Sequence, residues 1–156
     1  GLFPDLLTRK EPFYAHVPAR TYWIDIGTPQ RYLQVHADLL ANRVGRIHIK
    51  ERRGTFESAT VAEMDEASMI GDDCQIKPGA QIINSVLGQG CFVEERARVE
   101  NSVIWPHTRI GTAAQITSAI AGRGCHIGRS AVVGPGSVLG DKTSLTDYTI
   151  TGGTNA

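Results

Sequence analysis

The residues of this chain that could do chemistry are few and scattered. The segment Tyr22-Trp23-Ile24-Asp25-Ile26-Gly27-Thr28-Pro29 places one carboxylate, Asp25, just ahead of a glycine and a Thr-Pro pair. On its own this pattern is also what the end of a strand followed by a capped helix looks like. His107 and His126 fall at non-core positions of the repeat set out below. An imidazole there could serve as a general base, or simply face solvent. Trp105, followed by Pro106, is an aromatic where neighbouring repeats carry glycine, and is read either as a contact point for another domain or subunit or as a lone exposed apolar residue. The three cysteines, Cys74, Cys91 and Cys125, stand 17 and 34 residues apart. No C-x-x-C or paired histidine accompanies them, so neither a zinc site nor a disulfide pair is indicated. They read as small, buried, reduced side chains.

The element that must hold most of these residues is a repeat, and it governs the reading of everything else. Large aliphatics fall at Ile70, Ile76 and Ile82, then Leu87, Val93 and Val99, then Ile104, Ile110 and Ile116, then Ala121, Ile127 and Val133. The steps of six, six and five make a coil of 17 residues over four turns, and the last step lengthens to six, reaching Leu139 and Leu145. Small residues recur in phase: Ala80, Ala97, Ala114 and Ala131 on one side, and Cys74, Cys91, Thr108 and Cys125 on another. The short third side carries Asn84-Ser85-Val86, Asn101-Ser102-Val103 and Ser118-Ala119-Ile120. A large aliphatic paired with a small inward residue fits a narrow triangular coil whose turns pair as parallel strands about 4.8 Å apart. Gly71, Gly88, Gly111, Gly122, Gly128, Gly134 and Gly140 each follow an inward residue, where tight or positive-φ backbone is expected.

The run Ile70-Gly71-Asp72-Asp73-Cys74-Gln75-Ile76-Lys77-Pro78-Gly79-Ala80 and its continuation to Gly88 resemble the left-handed β-helix of hexapeptide-repeat proteins. The resemblance covers about half of the chain, and the handedness is implied by it. The general preference for right-handed parallel crossovers would give the opposite. Some hexapeptide-repeat proteins are acyltransferases that use a histidine as general base, for which His107 and His126 would be the candidates. Their acceptor sites commonly involve a loop extended from the prism, and the spacing here runs on without insertion.

Residues 1–50 lack this period. Phe13 to Val17 and Thr21 to Ile26 read as two short strands. Thr28-Pro29 opens a helix whose apolar stripe is Tyr32, Val35, His36, Leu39 and Leu40, ending near Asn42. The segment from Tyr22 to Pro29, with Arg31-Tyr32-Leu33 after it and Phe3-Pro4-Asp5-Leu6-Leu7 before it, resembles the end of the catalytic domain of sugar-phosphate nucleotidyltransferases, mannose-1-phosphate guanylyltransferases above all. In several members a β-helix follows directly. The resemblance implies that Asp25 is a ligand to a magnesium ion bridging nucleotide and sugar phosphates, with Gly27 and Trp23 at the substrate. The family's glycine-rich nucleotide-binding start and second metal-binding aspartate have no counterpart in this sequence. Phosphoryl-transfer chemistry needs several such groups at once.

The chain has 156 residues, 16 basic and 16 acidic side chains, and formal net charge zero. This balance gives no electrostatic reason for nucleic acid or an anionic membrane as a partner, and no apolar run approaches the roughly 20 residues of a membrane span. A cytoplasmic protein is expected. Opening on Gly1 rather than Met suggests a portion of a longer protein. The expected architecture is mainly β: the end of a nucleotidyltransferase catalytic domain over 1–50, a connection over 51–69, and a left-handed β-helix over 70–156. The expected function is that of the assembly or regulatory portion of a sugar-1-phosphate nucleotidyltransferase, inactive alone, partnered by a missing N-terminal catalytic domain and by further copies of itself. A hexapeptide-repeat acyltransferase is the alternative.

Overall fold

Strands of two or three residues joined by tight corners turn the 17-residue period into a parallel β-helix. The computed structural model describes residues 1–17, 19, 21–45, 57–58 and 62–153. In this region there are two helices, α1 (Leu2–Thr8) and α2 (Pro29–Leu40), and seventeen short strands in three parallel sheets.

The first sheet stacks β1 (Glu57–Ser58), β4 (Gln75–Ile76), β7 (Phe92–Val93), β10 (Arg109–Ile110), β13 (His126–Ile127) and β16 (Ser144–Leu145). The second stacks β2 (Glu63–Met64), β5 (Gln81–Ile83), β8 (Arg98–Glu100), β11 (Gln115–Thr117), β14 (Val132–Val133) and β17 (Ile150–Thr151). The third, on the short side, stacks β3 (Met69–Ile70), β6 (Val86–Leu87), β9 (Val103–Ile104), β12 (Ile120–Ala121) and β15 (Val138–Leu139). Pairing follows the period: Met69 lies beside Val86, Gln75 beside Phe92 and Gln81 beside Arg98. In the last coil the offset becomes 18, as Ile120 pairs with Val138, His126 with Ser144 and Val132 with Ile150.

Every aliphatic assigned to the interior, from Ile70 to Val133, is buried, and so are the four alanines and the Cys74, Cys91, Thr108 and Cys125 column. The polar members of these columns are satisfied along the axis. Thr108 Oγ1 donates to the Gly122 carbonyl at 2.9 Å, and the Cys74 and Cys125 thiols donate to the carbonyls of Gly88 and Gly140 at 3.2 Å. On the third side, Ser68, Ser85 and Ser102 form a ladder in which each hydroxyl accepts the backbone N–H of the residue one coil on, at 3.1 Å. Buried hydroxyls thus run down a corner without an orphaned group. Asn84, Asn101 and Ser118 take the positive φ that this corner needs.

The glycines behave differently from the expectation. Gly71, Gly88, Gly111, Gly122, Gly128, Gly134 and Gly140 are absent from the positive-φ positions, which at the other two corners fall instead on Asp73, Gly79, Gly90, Arg96, His107, Ala113 and their successors. What excludes a side chain at most of them is the coil above. A Cβ at Gly71 would lie 2.6 Å from the Gln89 nitrogen, and one at Gly128 would lie 2.5 Å from the Asp147 nitrogen. Close stacking of coils, and not corner geometry, selects glycine there.

The N-terminal third departs further. Neither Phe13 to Val17 nor Thr21 to Ile26 forms a strand among the described residues. A strand exists only through ladder bonds to a neighbour, and an isolated pair is marginal at best; no sheet accepts these segments here. The helix α1, unread from the sequence, is exposed throughout apart from the half-buried Leu6. Two strands, β1 and β2, fall inside the stretch 51–69 read as a connection and pair with the first full coil.

Candidate functional site

The helix α2 begins as its sequence dictates. Thr28 is the N-cap, its Oγ1 accepting the Arg31 N–H at 3.3 Å, and Pro29 opens the first turn. Just upstream, Asp25 Oδ1 accepts the Gly27 N–H at 3.2 Å, and Oδ2 pairs with the Arg31 guanidinium at 3.3 Å. Both partners of that ion pair are exposed, which makes it weak. Tyr22 ties the other end of the motif to the helix by donating its hydroxyl to Asp38 Oδ2 at 2.8 Å. Asp38 is 8% exposed and also accepts from Gln34 at 2.9 Å and Arg43 at 3.2 Å. The Tyr22 hydrogen bond, helped by those of Gln34 and Arg43, holds its carboxyl below the ordinary carboxylate range against the opposing effect of burial. Its own burial and the same contact push the Tyr22 phenol up.

The helix in turn covers the third sheet. Outward positions on that sheet are apolar in every coil: Met69, Val86, Val103, Ile120 and Val138. Val103 and Ile120 are 4% and 8% exposed although they point away from the shaft, whereas Val138 is 53% exposed. Leu33, Ala37 and Leu40 of α2 line one groove with Val86, Val103 and Ile120, which accounts for the difference. A second cleft of about 320 Å³ lies between Ile26, Gly27, Thr28, Pro29 and Tyr32 on one wall and Trp105 and Ile120 on the other. The Arg123 guanidinium, from the next coil, stands 5.2 Å from the centre of the Trp105 ring, a cation–π contact.

The structure thus brings Gly27 and Trp105 to one cleft; Asp25, bonded to the Gly27 N–H, is not among the residues that line it. Trp23 is 81% exposed and lines neither groove. His107 and His126 are exposed and line neither groove. His107 sits at a positive-φ corner, its ring filling the space beside Gly90, and His126 lies on β13. The cysteines stay in the shaft, where Cys74 and burial together push the Cys91 thiol up and burial does the same to Cys125. Among the described residues, no group of three or more His, Cys, Asp or Glu could hold a metal ion. Asp25 offers one carboxylate with a guanidinium already on it, so the described residues do not by themselves fit magnesium.

Asp38 went unread in the sequence, and Tyr22 and Arg31 were read only as members of the motif without a role of their own, because each is a single polar residue without periodic company. The apolar outward column of the third side was a usable signal: alternation there runs apolar on both faces, the mark of a strand covered from both sides.

The described residues thus form a parallel β-helix with an α-helix laid on one face. The chain belongs to the left-handed β-helix family whose model is described as "EIF2B subunit epsilon LbH domain", matched over residues 50–150. Among curated proteins it is similar to the UTP--glucose-1-phosphate uridylyltransferase of Synechocystis, 29% identical over 96% of this chain and 40% of that protein. It is 30% identical to the glucose-1-phosphate adenylyltransferase of Corynebacterium jeikeium over 85% of this chain and 37% of that protein. To a probable mannose-1-phosphate guanylyltransferase of rice it is 27% identical over 90% of this chain and 42% of that protein. The chain therefore spans about 40% of the length of these relatives. Among solved structures, the acetyltransferase domain of PglB from Neisseria gonorrhoeae in complex with acetyl coenzyme A matches 80% of this chain and 66% of that one, at 15% identity and a TM-score of 0.38. Among the described residues, no helix is long and apolar enough to cross a membrane.

Proposed function

We propose that this chain is the β-helix portion of a sugar-1-phosphate nucleotidyltransferase, joined to the last segment of its catalytic domain. The whole protein would transfer a nucleotidyl group from a nucleoside triphosphate to a sugar 1-phosphate and release pyrophosphate. The single observation that carries this reading is the span of the similarity. A relative of that activity matches 96% of the chain, across both the Asp25 motif and the coils, in the same order. Within the reading, the catalytic groups that the motif lacks lie upstream, and Asp25 lends one carboxylate to a magnesium site completed there. Mannose 1-phosphate and a guanylyl donor are the proposed pair, on the closeness of the Trp23-to-Pro29 motif to that branch. The coils serve as a rigid assembly surface, in which unpaired strand edges at the prism's end are covered by another copy.

The test is pyrophosphate release by the chain joined to its upstream portion, across the common nucleoside triphosphates with mannose 1-phosphate and glucose 1-phosphate. Turnover is expected from the joined protein and none from the chain alone. No turnover with any pair would overturn the reading, as would acyl transfer from acetyl coenzyme A by the chain alone.

A further inference from the structure

Trp105 occupies a column that is otherwise glycine: Gly71, Gly88, Gly122 and Gly140 take the same place in the other coils. In three of those coils a Cβ would come within 2.6 Å of the coil above. A large side chain in this column runs against the packing rule of the solenoid, so its position calls for a partner. The partner is on the page. Trp105 shares its cleft with Gly27, Thr28 and Pro29, the residues that follow Asp25, and Arg123 flanks the ring from the next coil.

We infer that Trp105 is a positioning residue, which holds the Gly27–Pro29 turn and thereby fixes where the Asp25 carboxylate stands relative to the β-helix. Three restraints already act on the motif from within its own segment: the Tyr22–Asp38 hydrogen bond ahead of it, the Gly27 N–H on Asp25, and the Thr28 cap behind it. All three are local, and none relates the turn to the coils. Gly27 has no side chain with which to pack, so an external wall must set its place. The indole forms the facing wall of the shared cleft, and the Arg123 guanidinium stands 5.2 Å from the centre of its ring. Docking of α2 on Val103 and Ile120 sets the helix on the sheet; Trp105 sets the turn. The inference rests on the proposed nucleotidyltransferase reading for its meaning, though not for its geometry.

Two measurements test it, and they fail separately. In the 156-residue chain, amide hydrogen exchange is compared among the wild type, Trp105→Ala, Trp105→Phe and Arg123→Ala. Exchange at the Gly27 and Arg31 amides should rise about tenfold in Trp105→Ala, with Phe close to wild type and Arg123→Ala in between, while Gly88 and Gly111 in the ladder keep their rates. Equal rates at Gly27 and Arg31 in wild type and Trp105→Ala would overturn the inference, as would a rise of the same size in the ladder. In the chain joined to its upstream portion, Trp105→Ala should lower kcat by about tenfold to a hundredfold with KM changed far less, and Phe should restore it. Unchanged kcat in Trp105→Ala would overturn the inference; a wild type without nucleotidyltransferase activity would overturn the proposed function and leave the exchange result to decide on Trp105.

Discussion

Ala97 has no room to become anything larger. It is fully buried where two walls of the shaft converge, with Ala80 and Ala114 in the coils on either side. Ala97→Leu should therefore cost about 1–3 kcal/mol through overpacking, read as a drop in the urea midpoint without a change in slope. Glycine substitutions separate the two roles that the sequence alone had merged. At Gly128 a Cβ would strike the Asp147 backbone, which cannot yield as a flexible side chain would. At Gly136 the space is open and the constraint is φ +78°. Gly128→Ala should be strongly destabilising. Gly136→Asn should be nearly neutral in thermal melting, since the same corner carries Asn84, Asn101 and Ser118 at positive φ in the preceding coils. The glycine pattern was legible, and its cause was not, because contact with the next coil cannot be read from a residue's own neighbours in sequence.

Among the elements, α2 depends on a buried acid. The Asp38 carboxyl is held below its ordinary range, so its ionised form is favoured in the folded chain. The stability this lends is complete above roughly pH 4 and is lost as the pH falls through the lower folded value. Acidification should loosen the Tyr22 tie and the helix before the coils, measured as lower amide protection in 29–40, relative to the intrinsic exchange rate at each pH. Asp38→Asn should cost about 1–3 kcal/mol of helix docking at neutral pH and remove most of that acid dependence. The start of this helix was plain from Thr28-Pro29, and its end at Leu40 falls close to the expected Asn42. Its seat was not plain. Val86, Val103 and Ile120 announce a covered face, but nothing local says which element covers it. The two strands expected over 13–17 and 21–26 failed for the converse reason: residues suited to strands make none without a sheet to join.

At the scale of the whole molecule, the coil was the most legible feature, because three columns repeating together can be satisfied by few shapes. The coils and the N-terminal segment differ in how each should respond to change. Solenoids gain stability from nearest neighbours, so damage to one coil should spread along the axis. Ile110→Ala, in the middle of the prism and fully buried, should cost about 2–5 kcal/mol in denaturant unfolding. The loss should melt the coils together and not frays of the ends alone. Mass determination by light scattering addresses the proposed assembly: a particle well above the 16.9 kDa of one chain is expected, and a strict monomer would count against a self-association role.

The uniform rise of the coils also makes the prism a ruler, graduated in increments of about 4.8 Å. Excising one full period between Trp105 and the C-terminal end would leave the motif and its tryptophan in register while drawing the far tip nearer by a single graduation. The axial length of the prism can thus be edited in whole steps while the pairing of the remaining coils is kept.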